Sequence, residues 1–315
     1  MTQLRVVTYN VYLGADLTLI FGAQSTTHLL EQSQLVYQQL VGTDFPSRAE
    51  AIARLIVRER IDVIGLQEVA RWSMSSLRRD GSPGEPVLWC DFLTELLHAL
   101  GCLGMPYDAH GANSNFHGGS AISAEEAMSV LGYNVILVRR DSGVEVTGSA
   151  TGDFKASLDI ATGMDDLVLN IPRSWGWVDA TVDGAAFRFV NTHTEAYDAD
   201  IRNAQRDELL REVGDPATPV VIVGDFNSGP DTVGMPPSYT DAWTDAGGEG
   251  PGYTCGQAAD LANEDSLLAE RIDYIWVRDA AVVSCRVIGD IDTDRTHSRR
   301  LWPSDHACVM SDLRL

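Results

Sequence analysis

Three observations on this 315-residue chain predict an α/β fold, with two sheets packed face to face and helices outside. Short apolar or alternating runs recur along its whole length and read as strands. Longer stretches between them repeat apolar residues at helical spacing. A two-residue turn signal joins two of the strand runs directly. A single domain over residues 1–315 accommodates all of these elements, with insertions near 12–46 and 71–130.

The first strand is predicted over 4–10, where Leu4-Arg5-Val6-Val7-Thr8-Tyr9 runs up to Asn10. Leu29, Leu30, Leu35, Val36 and Leu40 then suggest a helix. Ser47 and Glu50 have capping-box spacing and open a second helix, in which Ile52, Leu55 and Ile56 repeat at helical period. A strand over 61–67 ends at Glu68. Phe92, Leu93, Leu96, Leu97 and Leu100 form an apolar stripe that stops at Gly101, read as the residue just past a helix end. On either side of that stripe, residues 71–90 and 104–130 are rich in Gly, Ser, Pro, Asn and His. They are expected to be irregular, either as recognition loops or as decoration.

Strands follow over 134–139, 176–182 and 186–192. Trp177–Val182 alternates and meets Asp183-Gly184, so this pair is expected to be an antiparallel hairpin. Ile201, Ala204, Leu209, Leu210 and Val213 predict a helix that stops before Gly214. The last strands are predicted over 219–224, 272–277, 281–288 and 306–313.

A hydrophobic fraction of 44% suits a globular core. No apolar run reaches the roughly 18 residues of a membrane span. No charged-then-apolar leader precedes the first strand, and the chain is read as cytoplasmic. Its cysteines lie at 90, 102, 255, 285 and 308 without metal-like spacing, and are expected to be reduced, with Cys308 buried. The net charge of −22 disfavours loose association with nucleic acid or anionic membranes. Arg78-Arg79, Arg139-Arg140 and Arg299-Arg300 are read as solvated pairs more than as phosphate contacts.

The strand runs carry the chemistry at their ends. Asn10, Glu68, His193 and Asp225 each close an apolar run, Asp273 opens one, and Asp305-His306 precedes another. Rigid strand ends hold reactive groups at the rim of a core. This inventory is rich in oxygen, which suits Mg²⁺, Mn²⁺ or Ca²⁺ better than zinc. No Gly-x-Ser-x-Gly nucleophile motif is present. The pattern points to attack by water assisted by a metal, with no covalent intermediate on the protein.

Thr8-Tyr9-Asn10, Leu66-Gln67-Glu68, Asn191-Thr192-His193, Gly224-Asp225-Phe226-Asn227, Arg271-Ile272-Asp273-Tyr274 and Ser304-Asp305-His306 resemble, in order, the motifs of the endonuclease/exonuclease/phosphatase superfamily. Its members include DNase I-like nucleases, abasic-site endonucleases, neutral sphingomyelinases and inositol polyphosphate 5-phosphatases. The resemblance runs from about residue 4 to 313. It implies a four-layered α/β sandwich, with two mainly antiparallel sheets flanked by helices, and hydrolysis of phosphoesters. It also implies roles. Glu68 is the main Mg²⁺ ligand, with Asn10 beside it and Asp305 near the metal; Mn²⁺ is an alternative ion. Asp225 orients or deprotonates the attacking water. Asn227 and His193 donate to phosphoryl oxygens. His306 contacts the phosphate and is oriented by Asp273.

Some features depart from the pattern. The interval from Asn10 to Glu68 is long, and Thr194 follows His193 where Leu is common. No residue aligns clearly with the tyrosine that abasic-site nucleases place near the phosphate, and Tyr133 and Asn134 stand only as candidates. His117 lies in a stretch that borders the site on one reading. Arg202, Asn203, Gln205 and Arg206 are read as helix-surface or packing residues. Neither basic DNA-binding loops nor a lipid-contacting aromatic hairpin is evident. The expected substrate is a phosphorylated small molecule or a lipid head group. A metal-dependent nuclease is the alternative. A scaffold recruited for a non-phosphate reaction or for binding is the second.

Overall fold

The computed structural model describes residues 2–161 and 168–315. The first sheet contains β1 (Gln3–Asn10), β2 (Val63–Ser76), β3 (Val87–Asp91), β4 (Tyr107–Ala121), β5 (Glu126–Arg139), β14 (Ala281–Ile288) and β15 (Cys308–Arg314). Its order is β14-β15-β1-β2-β5-β4, with β3 paired to the far part of β2. The second sheet contains β6 (Val144–Asp153), β9 (Ser174–Val182), β10 (Ala185–His193), β11 (Val220–Asp225), β12 (Thr240–Asp241) and β13 (Asp273–Arg278). Its order is β12-β13-β11-β10-β9-β6. A small hairpin of β7 (Leu158–Ala161) and β8 (Val168–Ile171) stands apart. The helices are α1 (Thr18–Phe21), α2 (Thr26–Gly42), α3 (Phe45–Glu59), α4 (Phe92–Cys102), α5 (Ala199–Val213) and α6 (Ala242–Asp245).

Three apolar clusters define four layers. Val36 and Leu40 of α2, Ile52 and Ile56 of α3 and Leu96 of α4 pack on Val7, Tyr9, Ile64 and Leu66. Leu4, Val6 and Val63 meet Phe187, Phe189, Val221, Val223 and Ile275 between the sheets. On the outer face of the second sheet, Leu209 and Val213 of α5 cover Val190, Val220 and Ile222. This is the helix–sheet–sheet–helix sandwich expected above. The period of two along each strand sorts the residues between clusters: Val221 and Val223 face inward while Val220 and Ile222 face out.

β1 runs antiparallel to β15 and parallel to β2. In the second sheet β10 is parallel to β11 and antiparallel to β9. Asp183 and Gly184, both at positive φ, make the predicted β9–β10 hairpin.

Residues 71–90 and 104–130 were expected to be irregular, but 71–76, 87–90, 107–121 and 126–130 form strand. β2 continues to Ser76, β3 pairs with it, and β4 pairs with β5. β6 was not anticipated at all. β4 and β6 are edge strands, half exposed along their length, so apolar residues do not mark them. Gly and polar side chains are tolerated there because one face needs no packing.

Helix ends also differ in detail. Asp44 occupies the N-cap of α3, and Ser47 bonds to its carboxylate at 2.7 Å, so Ser47 lies inside the first turn. Gly101 sits within α4, and the positive φ falls at Gly104. At Gly214 the predicted stop is observed, with φ +65°. All five cysteines are free, and Cys308 is buried. Among the described residues, no helix is long and apolar enough to cross a membrane.

Candidate active site

The inward faces of the strands turn polar at one end of the sandwich. On β1 the inward series Leu4, Val6 and Thr8 ends at Asn10. On β10 Phe187 and Phe189 are followed by Asn191 and His193. On β11 Val221 and Val223 lead to Asp225, and on β13 Ile275 and Val277 are preceded by Asp273. Register then sets these groups side by side. His193 pairs with Asp225, and Asp225 pairs with Asp273. A purely local alternation of side chains thus becomes a shared site once three strands align.

The two sheets approach closely beneath it. Gln67 Nε2 donates to Asn191 Oδ1 at 2.6 Å, and Asn191 Nδ2 donates to the Leu66 and Val135 carbonyls. Both side chains are buried, so this pair is a polar pin between sheets. Gly65 leaves room for it. A Cβ there would lie 2.8 Å from Asn191 Oδ1 and well inside contact distance of Val223.

Glu68 reaches the site through a bulge. Leu66 pairs with Val135 and Val69 with Tyr133, so Gln67 and Glu68 together stand opposite Asn134. Glu68 takes φ +56° at this point. Such a bulge re-aims a side chain, and here it brings the Glu68 carboxylate into the cleft. Asn10 Nδ2 donates to Glu68 Oε1 and to Asp225 Oδ2, each at 3.1 Å. The Asn10 Oδ1 accepts from the Tyr12 amide, and the Leu13 amide donates to Glu68 Oε2. Asn10 therefore bridges two carboxylates from behind.

Arg48 holds the surrounding loops. This guanidinium is fully buried and donates to the carbonyls of Thr43, Val11, Tyr12 and Pro303. Burial lowers its pKa to about 10. It lies over the Phe45, Tyr12 and Phe92 rings. One side chain thereby ties the segment after Asn10 to the segment before Asp305. Ser304 Oγ adds a bond to the Asn10 carbonyl at 2.7 Å.

Asp225, Asp273 and His306 form a buried cluster whose ligand-type atoms lie within 4.8 Å of one another. His306 Nδ1 is 2.8 Å from Asp273 Oδ2, and its Nε2 lies 3.8 Å from Asp225 Oδ2. Burial alone would lower the His306 pKa, but Asp273, Cys255 and Asp305 hold it well above the usual imidazole range. Burial and the Asp273 charge push Asp225 up to about 7, against the pull of His306. An imidazolium held between carboxylates offers no lone pair to an ion, so this cluster suits proton handling.

His193 behaves in the opposite way. Burial, then the charge of Arg173, then that of His306, lower its pKa well below the usual range. Its Nε2 faces two donors, Asn227 Nδ2 at 3.0 Å and Arg173 Nη1 at 3.2 Å. A neutral ring with Nε2 accepting fits these two donors, which share its single lone pair. Asn227, at φ +48°, also donates to the Thr194 carbonyl, and its amide N–H bonds Asp225 Oδ1 at 2.9 Å.

The cleft has a volume of about 330 Å³ and is lined at its polar end by Glu68, Asp305, His193 and Arg173. Burial raises the Asp305 pKa to about 6, with Glu68 adding to the rise and His306 opposing it. Its carboxylate receives only a 3.3 Å bond from Ser304 Oγ. Among the described residues, neither Glu68 nor Asp305 has a Lys or Arg partner. Two half-buried carboxylates sharing a cleft, neither paired to a Lys or Arg among the described residues, fit a hard divalent ion.

Arg173, missed in the sequence, contributes positive charge at the far side. Its Nε lies 3.5 Å from Glu195 Oε2, which is fully buried. Its only sequence signal is its place just before the β9 strand. Gln205, read as a packing residue, is buried and joins the Glu195 amide to the Ala156 carbonyl. Asn115 and Phe116 line the cleft, whereas their neighbour His117 does not. The Tyr133 hydroxyl donates to Asp91 and the Asn134 amide oxygen accepts from Asn115, so both side chains are engaged away from the phosphate end.

A two-sheet sandwich with carboxylates and imidazoles gathered at one end of its inter-sheet core defines a class of phosphoester hydrolases that use a divalent metal. The chain matches the Endonuclease/Exonuclease/phosphatase family over residues 7–306 and belongs to it. It is similar to a Bacteroides vulgatus endonuclease/exonuclease/phosphatase structure (TM-score 0.61, 21% identity, 100% of each chain covered). A Bacteroides thetaiotaomicron mannosyl-6-phosphatase superposes with TM-score 0.63 at 20% identity, covering 99% of this chain and 100% of that one. Truncated Caenorhabditis elegans TDP2 gives 0.60 at 17%, covering 99% and 98%. These likenesses establish the shared fold. No curated protein sequence matches the chain.

Proposed function

We propose that the protein is a Mg²⁺-dependent hydrolase acting on a phosphoester in a small molecule or lipid head group. The observation that carries this reading is the shared cleft of Glu68, Asp305, His193 and Arg173 above the Asp225–His306–Asp273 cluster. Glu68 and Asp305 hold the ion, and Asn10 fixes Glu68 in place. Bound there, a divalent cation neutralises phosphoryl oxygen charge.

The remaining steps belong to the chain's own residues. Asp225 orients the attacking water and accepts its proton. The His306 imidazolium, kept charged by Asp273, donates to the phosphoryl group. Arg173 supplies a fixed positive charge on the opposite wall, and His193 and Asn227 hold its geometry. In this arrangement Arg173, and not His193, is the donor turned to the substrate.

The net charge of −22 favours a small or zwitterionic substrate over a polyanion. Hydrolysis of p-nitrophenyl phosphate and bis-p-nitrophenyl phosphate with Mg²⁺, Mn²⁺ or EDTA, in wild type and Glu68→Ala, tests the reading. Metal-dependent turnover lost in Glu68→Ala supports it, and the monoester-to-diester ratio narrows the substrate. Mg²⁺-dependent nicking of plasmid DNA in preference to both esters favours a nuclease instead. No turnover of any phosphoester by folded protein in any metal rejects it in favour of a recruited scaffold.

A further inference from the structure

The cleft has a second end that the phosphoester chemistry does not use. Beyond Glu68 and Arg173 its walls are Leu17, Phe21, Phe116 and Val130. The same four side chains continue into an adjoining chamber of about 60 Å³, where Ile20 and Met128 join them. Among the described residues, no charged side chain lines that chamber. Phe21 and Tyr197 meet edge to face over the opening, with centroids 6.3 Å apart. Phe21 belongs to the short helix α1, inside the long interval between Asn10 and Glu68. Tyr197 follows β10 by a few residues and is 56% exposed.

An apolar arm opening directly off a carboxylate-lined site has a chemical meaning. Water held there gains few hydrogen bonds, so an apolar group displaces it favourably. A sugar phosphate or a polyanion leaves such an arm unfilled. Resting on the phosphoesterase reading, we propose that the substrate is a phosphoester whose alcohol carries a short alkyl or aryl group, seated in the arm between α1 and β4–β5. The phosphate lies at the polar end, and the apolar group passes under the Phe21–Tyr197 pair. Specificity is then set by the segment that departs most from the family's spacing.

The test uses non-hydrolysable probes. Binding of methyl-, propyl-, hexyl- and phenylphosphonate is measured by calorimetry with Mg²⁺ present, independently of turnover. The Kd is expected to fall roughly fourfold per methylene over the first few carbons and to level off at hexyl. Phenylphosphonate is expected to bind at least about tenfold tighter than the methyl compound. Leu17→Gln, at a half-exposed position, and the near-isosteric Val130→Thr should each reduce the hexyl-to-methyl affinity ratio several-fold. Metal-dependent binding of every phosphonate with equal affinity overturns the apolar arm and leaves the phosphoesterase reading intact. An unchanged hexyl-to-methyl ratio in both folded variants also overturns it. Absence of metal-dependent binding for the whole series overturns both.

Discussion

Replacing Gly65 with alanine probes how closely the two sheets must approach for the site to form. The added methyl would stand 2.8 Å from Asn191 Oδ1 and well inside the contact distance of Val223 Cγ2. Carbon atoms prefer about 3.5–4.0 Å, so Val223 or a whole strand must shift. Overpacking of a tight core costs about 1–3 kcal/mol. If Asn191 is pushed aside, its 2.6 Å bond from Gln67 is lost inside the core. A buried amide left unpaired costs about 1–3 kcal/mol more. The expected loss is thus about 2–6 kcal/mol. At about 2 °C per kcal/mol for a chain of this length, Tm falls by about 4–12 °C.

Activity should fall with it, because Gln67 precedes Glu68 within the same bulge. A misplacement of about 1 Å at a reacting group costs about 10²-fold in rate. Scanning calorimetry and kcat on the preferred p-nitrophenyl ester measure both effects. Gly101→Ala is the control. Gly101 lies within α4 with open space around its Cβ position, so alanine should stabilise by about 0.5–1 kcal/mol. Val223→Ala in the Gly65→Ala background should relieve the clash, and the double variant should lose less than the two singles together. A Gly65→Ala protein with wild-type Tm and kcat would refute the close inter-sheet contact as the determinant of site geometry.

Three further outcomes are expected. In metal-free protein Asp305 and Asp225 are raised to about 6 and about 7, above their unfolded values. The stability they contribute is full below the unfolded carboxylate pKa and is lost as pH rises through 6 and 7. Mg²⁺ should therefore raise Tm more at pH 8 than at pH 5, and equal increments in calorimetry at both would contradict the assignment. Arg173→Met strands the buried Glu195 carboxylate and should cost about 3–5 kcal/mol. Adding Glu195→Gln should recover most of that stability in denaturant unfolding without restoring substrate affinity. Asp273→Asn removes the charge that keeps His306 protonated. It should lower kcat by about 10²–10⁴-fold and move the alkaline limb of the pH–rate profile to lower pH, and an unmoved limb would exclude the His306 imidazolium as the group that stabilises the phosphoryl oxygens.

Much of the architecture was legible because burial repeats locally. Val220 to Val223 alternate between two cores, and a strand of that kind announces itself in the sequence. The helices α2, α3, α4 and α5 were legible for the same reason, through their apolar stripes. β4 and β6 were not, since edge strands exposed on alternate positions carry Gly, Asn, Ser and Thr. The cap of α3 was misplaced because Ser47 has the right spacing but Asp44 takes the left-handed conformation that opens the helix. Likewise, the glycine with positive φ after α4 is Gly104, and a glycine in sequence carries no sign of which side of zero its φ will take.

What the sequence by itself determined is the list of groups that border the apolar runs: Asn10, Glu68, His193, Asp225, Asp273, Asp305 and His306. Asn10, Glu68, His193 and Asp225 close apolar runs, and Asp273, Asp305 and His306 come just before them, so residue type beside a run of period two singles them out. Tertiary structure alone decided their partners. The bulge that turns Glu68 into the cleft depends on how β2 registers with β5. The protonation of His306 and the neutrality of His193 depend on which charges burial brings near each ring. Arg48 meets the Pro303 carbonyl, and Arg173 meets His193 and Glu195, across separations that no local pattern encodes. The apolar arm likewise needs α1, β4 and β5 in one place. Alternation and periodicity are properties of neighbours along the chain, whereas electrostatics and cavity shape arise between residues that only folding brings together.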